Sequence, residues 1–295
     1  MFGERDQNIK QIEKSLNLEI TARGNILHIV GQEAYRAKNI IESLIETVKD
    51  KRIIDNEEVE AAIRLSSHRP VKDIKNILIK TPKRKILPRS LVQKKYIQSL
   101  KDNILTFGTG PAGTGKTYLA VADAVEKITE GSVERIILSR PAVEAGEQLG
   151  FLPGDLKEKI DPYLRPLYDA LGDCMNREKI SKLVEREKIE IAPLAFMRGR
   201  TLSNAYIILD EAQNASPVQM KMFLTRLGKD SQMVITGDLS QIDLPLNKKS
   251  GLHEALSITK NLKDVSHVKF DEKDVVRHPL VTEIVKSYKN NINSN

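Results

Sequence analysis

Beyond residue 90, short apolar runs alternate with amphipathic stretches. The apolar runs predict strands over 103–107, 135–139, 189–192, 205–209, 232–236 and 265–270. Between them, apolar residues recur at three- and four-residue steps, which predicts helices over 116–129, 155–171, 216–227 and 251–260. Strands that are apolar on both faces are typical of a parallel sheet covered by helices. We therefore predict an α/β fold whose ligands bind at the carboxyl ends of the strands.

The first 66 residues follow a different pattern. Apolar and polar residues alternate over 18–20 and 27–29, on either side of a polar segment, which predicts a β-hairpin. Apolar residues at helical steps over 34–48 and 59–63 predict two helices. The sequence therefore predicts a small α+β domain over 1–66, a basic Pro-containing linker over 67–90, an α/β core over 91–289 and a disordered tail over 290–295.

Composition excludes several classes of protein. Hydrophobic residues make up 40% of the chain and charged residues 29%, as in ordinary globular domains, which excludes wholesale disorder. The single cysteine, Cys174, excludes an internal disulfide. No apolar run approaches the roughly 20 residues that span a bilayer, and the charged N-terminus lacks the apolar stretch of a signal peptide. We therefore expect a cytoplasmic protein.

The positive charge is concentrated in one segment. The chain has 47 basic and 40 acidic residues, a net charge of +7. Asp73 is the single acid between residues 69 and 95, and the basic residues there are Arg69, Lys72, Lys75, Lys80, Lys83, Arg84, Lys85, Arg89, Lys94 and Lys95. A basic segment beside a folded domain suggests a polyanionic partner, with nucleic acid first. The alternative is a linker that its charge keeps solvated.

A glycine-rich segment follows the first strand of the predicted core and precedes a helix. In this position it predicts a phosphate-binding P-loop, because glycines let backbone N–H groups face inward around anionic oxygens. Lys116 is expected to reach the β- and γ-phosphates, and the Thr117 hydroxyl to bind Mg²⁺. The predicted nucleotide-binding residues are Gly110, Pro111, Ala112, Gly113, Thr114, Gly115, Lys116 and Thr117.

Acidic residues follow two further strands of the predicted sheet. Asp210 ends the apolar run 205–209 and is expected to hold Mg²⁺ as a Walker B aspartate does. Glu211 next to it can orient or deprotonate an attacking water, which favours hydrolysis over transfer to a small acceptor. Asp238 follows the next strand and is expected to sense the γ-phosphate, the alternative being a cap on the following segment.

An arginine and a glutamine complete the expected site. Charge that develops on the transferred phosphate needs an arginine, supplied in cis or by a neighbouring subunit. Among Arg140, Arg198, Arg200 and Arg277, we favour Arg277 as the catalytic arginine, with Arg200 second. Gln93, on a helix before the first core strand, has an amide that can donate to and accept from an adenine edge. Taken alone, it is more typical of a surface glutamine.

Six motifs together resemble the PhoH family, and the resemblance covers about residues 90–290. The motifs are the P-loop and the segments 139–141, 196–201, 210–213, 236–238 and 274–279. The resemblance implies a P-loop ATPase core of the RecA-like kind, similar to the first motor domain of superfamily 1 helicases, with ATP and Mg²⁺ as ligands. It also implies that Gln93 contacts the adenine.

The resemblance extends to the N-terminal domain and to partners. That domain is similar to the KH-like domain of the YbeZ type of the family, although it lacks the Gly-x-x-Gly clamp of RNA-binding KH domains. The resemblance implies a role in RNA metabolism, with RNA and a separate YbeY-type endoribonuclease as partners. Only 85 residues follow Asp210, too few for a second motor domain. We therefore expect a ring-forming homo-oligomer, a hexamer by family analogy.

The expected activity is Mg²⁺-dependent ATP hydrolysis by an RNA-associated motor or remodeller, which leaves helicase-like activity open. One alternative is a nucleotide-gated RNA-binding scaffold with little turnover. Another is a P-loop kinase, which needs an acceptor pocket and a lid, whereas Glu211 favours water as the acceptor.

Overall fold

The computed structural model describes residues 2–3, 6–24, 26–49, 54, 56–66, 77–141, 156–245, 249–276 and 284. The chain forms two compact units, one made of Met1–Ile77 with Leu87–Lys94 and the other of Leu78–Ile86 with Lys95–Asn295. Among the described residues, no helix is both long and apolar enough to cross a membrane.

The first unit contains a hairpin and three helices. Its elements are α1 (Gln7–Leu16), β1 (Glu19–Arg23), β2 (Ile26–Val30), α2 (Ala34–Lys49) and α3 (Asn56–Ser66). The two strands pair antiparallel, and apolar side chains of the helices and of β1 form a common core. The predicted hairpin and both predicted helices are confirmed, whereas α1 lies outside the predicted elements. A KH-like identity for this unit stays a prediction.

A second hairpin lies within the predicted linker over 67–90. Its strands are β3 (Ile79–Lys80) and β4 (Lys85–Ile86), which pair antiparallel and bury both isoleucines. The Lys80 N–H donates to Glu126 Oε1 at 2.5 Å, and Lys101 Nζ donates to the Leu78 carbonyl at 2.9 Å. Residues 78–86 therefore belong to the second unit rather than to a linker. Strands of two residues are too short for an alternating pattern to reveal them.

The remaining elements build the α/β core. Its helices are α4 (Leu91–Asp102), α5 (Lys116–Glu130), α6 (Leu156–Cys174), α7 (Arg177–Glu185), α8 (Pro217–Leu224) and α9 (Gly251–Ile258). Its strands are β5 (Leu105–Thr109), β6 (Arg135–Arg140), β7 (Ile189–Pro193), β8 (Ala205–Leu209), β9 (Gln232–Gly237) and β10 (Val265–Lys269). The boundary between the two units falls within α4.

The six core strands form one sheet in the order β10-β5-β9-β8-β6-β7, and all neighbours are parallel. Every residue of β5, β8 and β9 is buried, because helices cover both faces of the sheet. The predicted α/β class is therefore confirmed, and each predicted core strand is present within two residues of its predicted ends. Since β9 lies between β5 and β8, the segments that follow these three strands meet at one edge of the sheet.

Candidate active site

A cavity of about 430 Å³ opens at this edge of the sheet. Its walls are formed by the P-loop, by the ends of β6, β8 and β9, and by α6. The lining residues are Ala112, Gly113, Gly115, Lys116, Thr117, Tyr118, Arg140, Pro166, Asp169, Ala170, Asp173, Asp210, Glu211, Gly237, Asp238 and Gln241. The structure thus brings most of the P-loop together with all three predicted acidic residues.

The P-loop connects β5 to α5 through a backbone that requires glycine. Gly110 has a φ of 135°, and a Cβ atom there would overlap the Phe270 carbonyl. Gly115 has a φ of 82° and immediately precedes the first residue of α5, Lys116. The first N–H groups of α5 therefore point out of the helix end toward the cavity, an arrangement that attracts anions.

Lys116 is almost buried within the loop. Its Nζ donates to the Gly110 and Pro111 carbonyls, each at 2.7 Å. These bonds hold the ammonium group among the loop residues that are predicted to surround phosphates. A bound phosphate would exchange these neutral acceptors for charged ones, which form shorter and stronger hydrogen bonds.

Two threonines converge on Asp210. Thr117 Oγ1 donates to Asp210 Oδ1 at 2.6 Å, and Thr236 Oγ1 donates to the same oxygen at 2.8 Å. The Asp210 carboxylate is only 4% exposed, so these hydrogen bonds compensate for much of its lost hydration. Hydroxyl and carboxylate oxygens are the hard ligands that Mg²⁺ prefers, and the Thr117–Asp210 pair therefore fits that ion.

Arg140 is the basic residue that the structure places beside both acids. Its Nη2 lies 3.0 Å from Glu211 Oε1, and its Nε lies 3.9 Å from Asp210 Oδ2. Its Nη1 donates to the Tyr163 carbonyl at 2.8 Å, which fixes the guanidinium against α6. The sequence identifies Arg140 as one of several candidate arginines, but its pairing with Glu211 had no sequence signal.

Glu211 has an unusual backbone conformation for a non-glycine residue. Its φ of 52° and ψ of 38° lie in the left-handed region, which costs a side chain of this kind about 1 kcal/mol or more. Its second carboxylate oxygen, Oε2, accepts from Gln213 Nε2 at 2.6 Å. Both oxygens of the predicted base are therefore held by neighbouring side chains.

Asp238 follows β9 and is the first residue of a compact loop. Its Oδ1 accepts from the N–H and the hydroxyl of Ser240, at 2.9 and 2.6 Å. These bonds have the form of the predicted alternative, a side chain that caps its own loop. Its Oδ2 is buried and has no hydrogen-bond partner among the described residues. One buried acceptor of Asp238 thus remains for a ligand or water.

Gln93, Arg198 and Arg200 are not among the described residues that line the cavity. Gln93 is 4% exposed, which contradicts a surface position, and its Oε1 accepts from the Arg89 N–H at 2.6 Å at the start of its own helix. Arg200 forms two hydrogen bonds to the Glu190 carboxylate, at 2.5 and 2.7 Å, and these bonds raise the pKa of the guanidinium. Arg200 is not among the residues that line the cavity. Arg198 is exposed outside the cavity. Arg277 lies outside the described residues.

Comparison with known proteins gives consistent matches along the chain. The family model described as PhoH-like protein matches residues 85–289. A PhoH-like protein of Bacillus subtilis is 50% identical over 98% of this chain and 92% of its own length. A PhoH-like protein of Mycobacterium tuberculosis is 47% identical over 98% of this chain and 84% of its own length. The protein PhoH of Escherichia coli is 44% identical over 69% of this chain and 58% of its own length.

Similarity to solved structures is much weaker. A SWI2/SNF2 ATPase core of Sulfolobus solfataricus in complex with double-stranded DNA aligns with 69% of this chain and 53% of its own, at 16% identity and a TM-score of 0.35. The Pif1 helicase of Candida albicans aligns with 61% of this chain and 39% of its own, at 12% identity and a TM-score of 0.29. Alignments this weak say nothing about the ligand or activity of this chain.

Proposed function

Since the chain belongs to the PhoH-like protein family, we propose that it binds ATP with Mg²⁺ at the P-loop and hydrolyses the ATP to ADP and phosphate. One observation carries the proposal most directly. The Thr117 hydroxyl lies 2.6 Å from Asp210, with Lys116 and Glu211 lining the same cavity. Hydrolysis requires a pair of oxygens that bind the cation, a lysine that binds phosphate and a carboxylate next to the phosphate position.

Each group has a distinct role in the proposed reaction. The P-loop N–H groups and Lys116 bind the β- and γ-phosphates and orient the γ-phosphorus toward water. Thr117 and Asp210 would hold Mg²⁺, which supplies positive charge to the phosphate oxygens. Glu211 accepts a proton as the water oxygen bonds to phosphorus, and the bond to the bridging oxygen breaks with its electron pair going to ADP. Arg140 is the described arginine closest to this chemistry.

Several finer assignments complete the proposal. Gln93 contacts the adenine, Asp238 responds to the γ-phosphate, and Arg277 acts as the arginine of a neighbouring subunit. The family resemblance and the basic segment are the grounds for four further assignments. These are RNA as effector, a YbeY-type endoribonuclease as partner, a hexameric ring and a cytoplasmic location. Asp238 lines the cavity, and its buried Oδ2, which has no partner among the described residues, can accept a hydrogen bond from a water that also contacts the γ-phosphate.

A product assay tests the proposal. The wild-type protein is expected to release free phosphate from ATP in the presence of Mg²⁺, without transfer to a nucleotide or small-molecule acceptor. Lys116→Ala is expected to lose this release, because it removes the charge nearest the phosphates. Lys182→Ala, an exposed lysine of α7 outside the cavity, serves as the control and is expected to retain it.

The same assay separates the alternatives. A labelled phosphate recovered on an added acceptor would instead support a kinase. Tight ATP binding with no phosphate release, with or without RNA, would support a nucleotide-gated scaffold.

A further inference from the structure

The side chain of Gln213 lies between the predicted base and the loop that follows β9. Gln213 is 1% exposed and belongs to a single helical turn, Ala212–Asn214, directly after Glu211. Its Nε2 donates to Glu211 Oε2 at 2.6 Å and to the Gln241 carbonyl at 3.1 Å. Its Oε1 accepts from the Asp238 N–H at 2.9 Å. One buried amide thus joins the carboxylate to both ends of the segment 238–241.

The three partners determine the orientation of this amide. A carboxylate and a carbonyl can only accept from a glutamine, and a backbone N–H can only donate to it. Exchanging Oε1 and Nε2 would place an oxygen against two acceptors and an NH₂ group against a donor. All three bonds would then be lost inside a buried site, so the observed orientation is the one the surroundings stabilise.

Gln213 complements Arg140 in holding Glu211. Arg140 binds one carboxylate oxygen with a charged group, whereas Gln213 binds the other with a neutral donor. The backbone of Glu211 is in the costly left-handed region, a conformation that persists only where surrounding contacts hold it. The Gln213 contact also depends on the loop, since Asp238 and Gln241 hold the same amide.

We propose that Gln213 is a positioning residue that sets the orientation of the Glu211 carboxylate and ties it to the loop 238–241. The inference rests on the proposed ATP hydrolysis, in which Glu211 accepts the proton of water. Asp238 and Gln241 also line the cavity, so a displacement of this loop by the terminal phosphate reaches Glu211 through the Gln213 amide. Gln213 thereby links occupancy of the phosphate position to readiness of the base.

Gln213→Glu is the most direct test. The replacement has the same length and keeps an acceptor for the Asp238 N–H, but it loses the donor and faces Glu211 with a second carboxylate. We expect the kcat for ATP hydrolysis to fall about 10- to 100-fold, as misorientation of a reacting group typically does, with the Kd for ATP unchanged. A fall in kcat at an unchanged Kd indicates a misoriented base, because weaker nucleotide binding would raise the Kd instead.

Asn214→Asp provides a matched control. Asn214 is buried on the same turn and joins it to Asp243, two residues beyond the loop 238–241, with its Nδ2 3.3 Å from Asp243 Oδ2 and its Oδ1 2.8 Å from the Asp243 N–H. The change again replaces an amide by a carboxylate facing an acid. The backbone N–H of Asn214 donates to the Glu211 carbonyl at 3.0 Å, a bond that the substitution keeps, while its side chain bonds to Asp243 rather than to the Glu211 carboxylate. We expect it to leave kcat close to the wild-type value.

Gln213→Met separates positioning from charge. It fills the same volume without charge or hydrogen bonds, so it lowers kcat at unchanged Kd and keeps the test valid if Gln213→Glu does not fold. Wild-type kcat in a folded Gln213 variant would overturn the inference while leaving ATP hydrolysis intact. An equal loss of kcat in Asn214→Asp would also overturn it, since loop anchoring alone would then account for the effect of the Gln213 variants. Absence of hydrolysis by the wild type would overturn the proposed function itself.

Discussion

Asp123 is a buried acid that the proposed chemistry does not use. It lies on α5, behind the P-loop, and its Oδ2 accepts from the Tyr206 hydroxyl at 2.7 Å. Its Oδ1 is buried and has no hydrogen-bond partner among the described residues. Burial raises the pKa of this carboxyl to about 6, because a charged carboxylate loses hydration that one hydrogen bond does not replace. Folding therefore favours the protonated form of Asp123.

This raised pKa predicts a pH-dependent effect of Asp123→Asn. The unfolded chain releases the proton near the ordinary value of 3.8, and the folded protein releases it near 6. The wild type therefore loses stability relative to Asp123→Asn as pH rises through this range, and the difference is complete above the folded pKa. At roughly 1.4 kcal/mol for each pKa unit, the expected change is about 3 kcal/mol.

Urea unfolding at pH 4.5 and pH 8 checks this expectation and should show about 2 kcal/mol of the change, because the unfolded chain has already released most of this proton at pH 4.5. Glu130→Gln, which neutralises an exposed acid on the same helix, is the control and should show little change between the two conditions. An Asp123→Asn variant whose stability relative to wild type is the same at both pH values would contradict a raised pKa for this residue.

At the site, the sequence predicts the residues better than their contacts. The P-loop and the Asp210–Glu211 pair are recognised because local spacing after a strand determines where they lie. The pairing of Arg140 with Glu211, and the three bonds of Gln213, join residues from different elements and depend on side-chain orientation. No spacing along the chain encodes these contacts, and Gln213 is visible in the sequence only as part of the 210–213 motif.

At the scale of elements, the β3–β4 hairpin gives the basic segment a structural role. Lys83 Nζ donates to the Gly172 carbonyl, and the Lys83 N–H donates to the Cys174 carbonyl at 3.2 Å. Arg84 lies 3.6 Å from Asp173. These contacts satisfy carbonyls of the last turn of α6 and place positive charge at the negative end of the helix dipole. Charge counting along the sequence predicts the excess charge but not this contact.

Lys83→Ala tests the role of the hairpin. Losing the charge and the hydrogen bond at the end of α6 should lower the free energy of unfolding by about 0.5–1 kcal/mol. Urea unfolding at neutral pH measures the change, with Lys95→Ala as a control that removes an exposed positive charge from the same segment. Equal stabilities of the two variants would remove the helix-end role from Lys83.

The sequence predicts best the elements in which apolar residues recur regularly over several positions. All six core strands were predictable because short, mainly apolar runs bounded by turn residues are typical of buried parallel strands. The short β3 and β4 strands offer too few positions for a pattern. Neither α1 nor α7 was predicted, although the buried positions of α1, Ile9, Ile12 and Leu16, fall at helical steps. The pattern therefore recovers the sheet that carries the site together with the helices α5, α6, α8 and α9, and it misses α1, α7 and the β3–β4 hairpin.

At the scale of the whole molecule, the chain divides differently from the predicted domains. Leu87–Lys94 belongs to the first unit and Leu78–Ile86 to the second, so the chain passes between the units more than once. Contacts distant in sequence produce this exchange, and composition along the chain cannot reveal it. Four assignments stay predictions: RNA binding, the YbeY-type partner, the hexameric ring and the role of Arg277. Arg277 lies outside the described residues.

The central claim is that this chain hydrolyses ATP with Glu211 as the base. ATP binding and phosphate release by the full-length Glu211→Gln variant test it most directly. The P-loop, Asp210 and Thr117 are intact in this variant, so it should bind ATP with Mg²⁺ at close to the wild-type Kd. Loss of the proton acceptor should slow phosphate release about 10²- to 10⁴-fold. Phosphate release at the wild-type rate by Glu211→Gln would contradict the account.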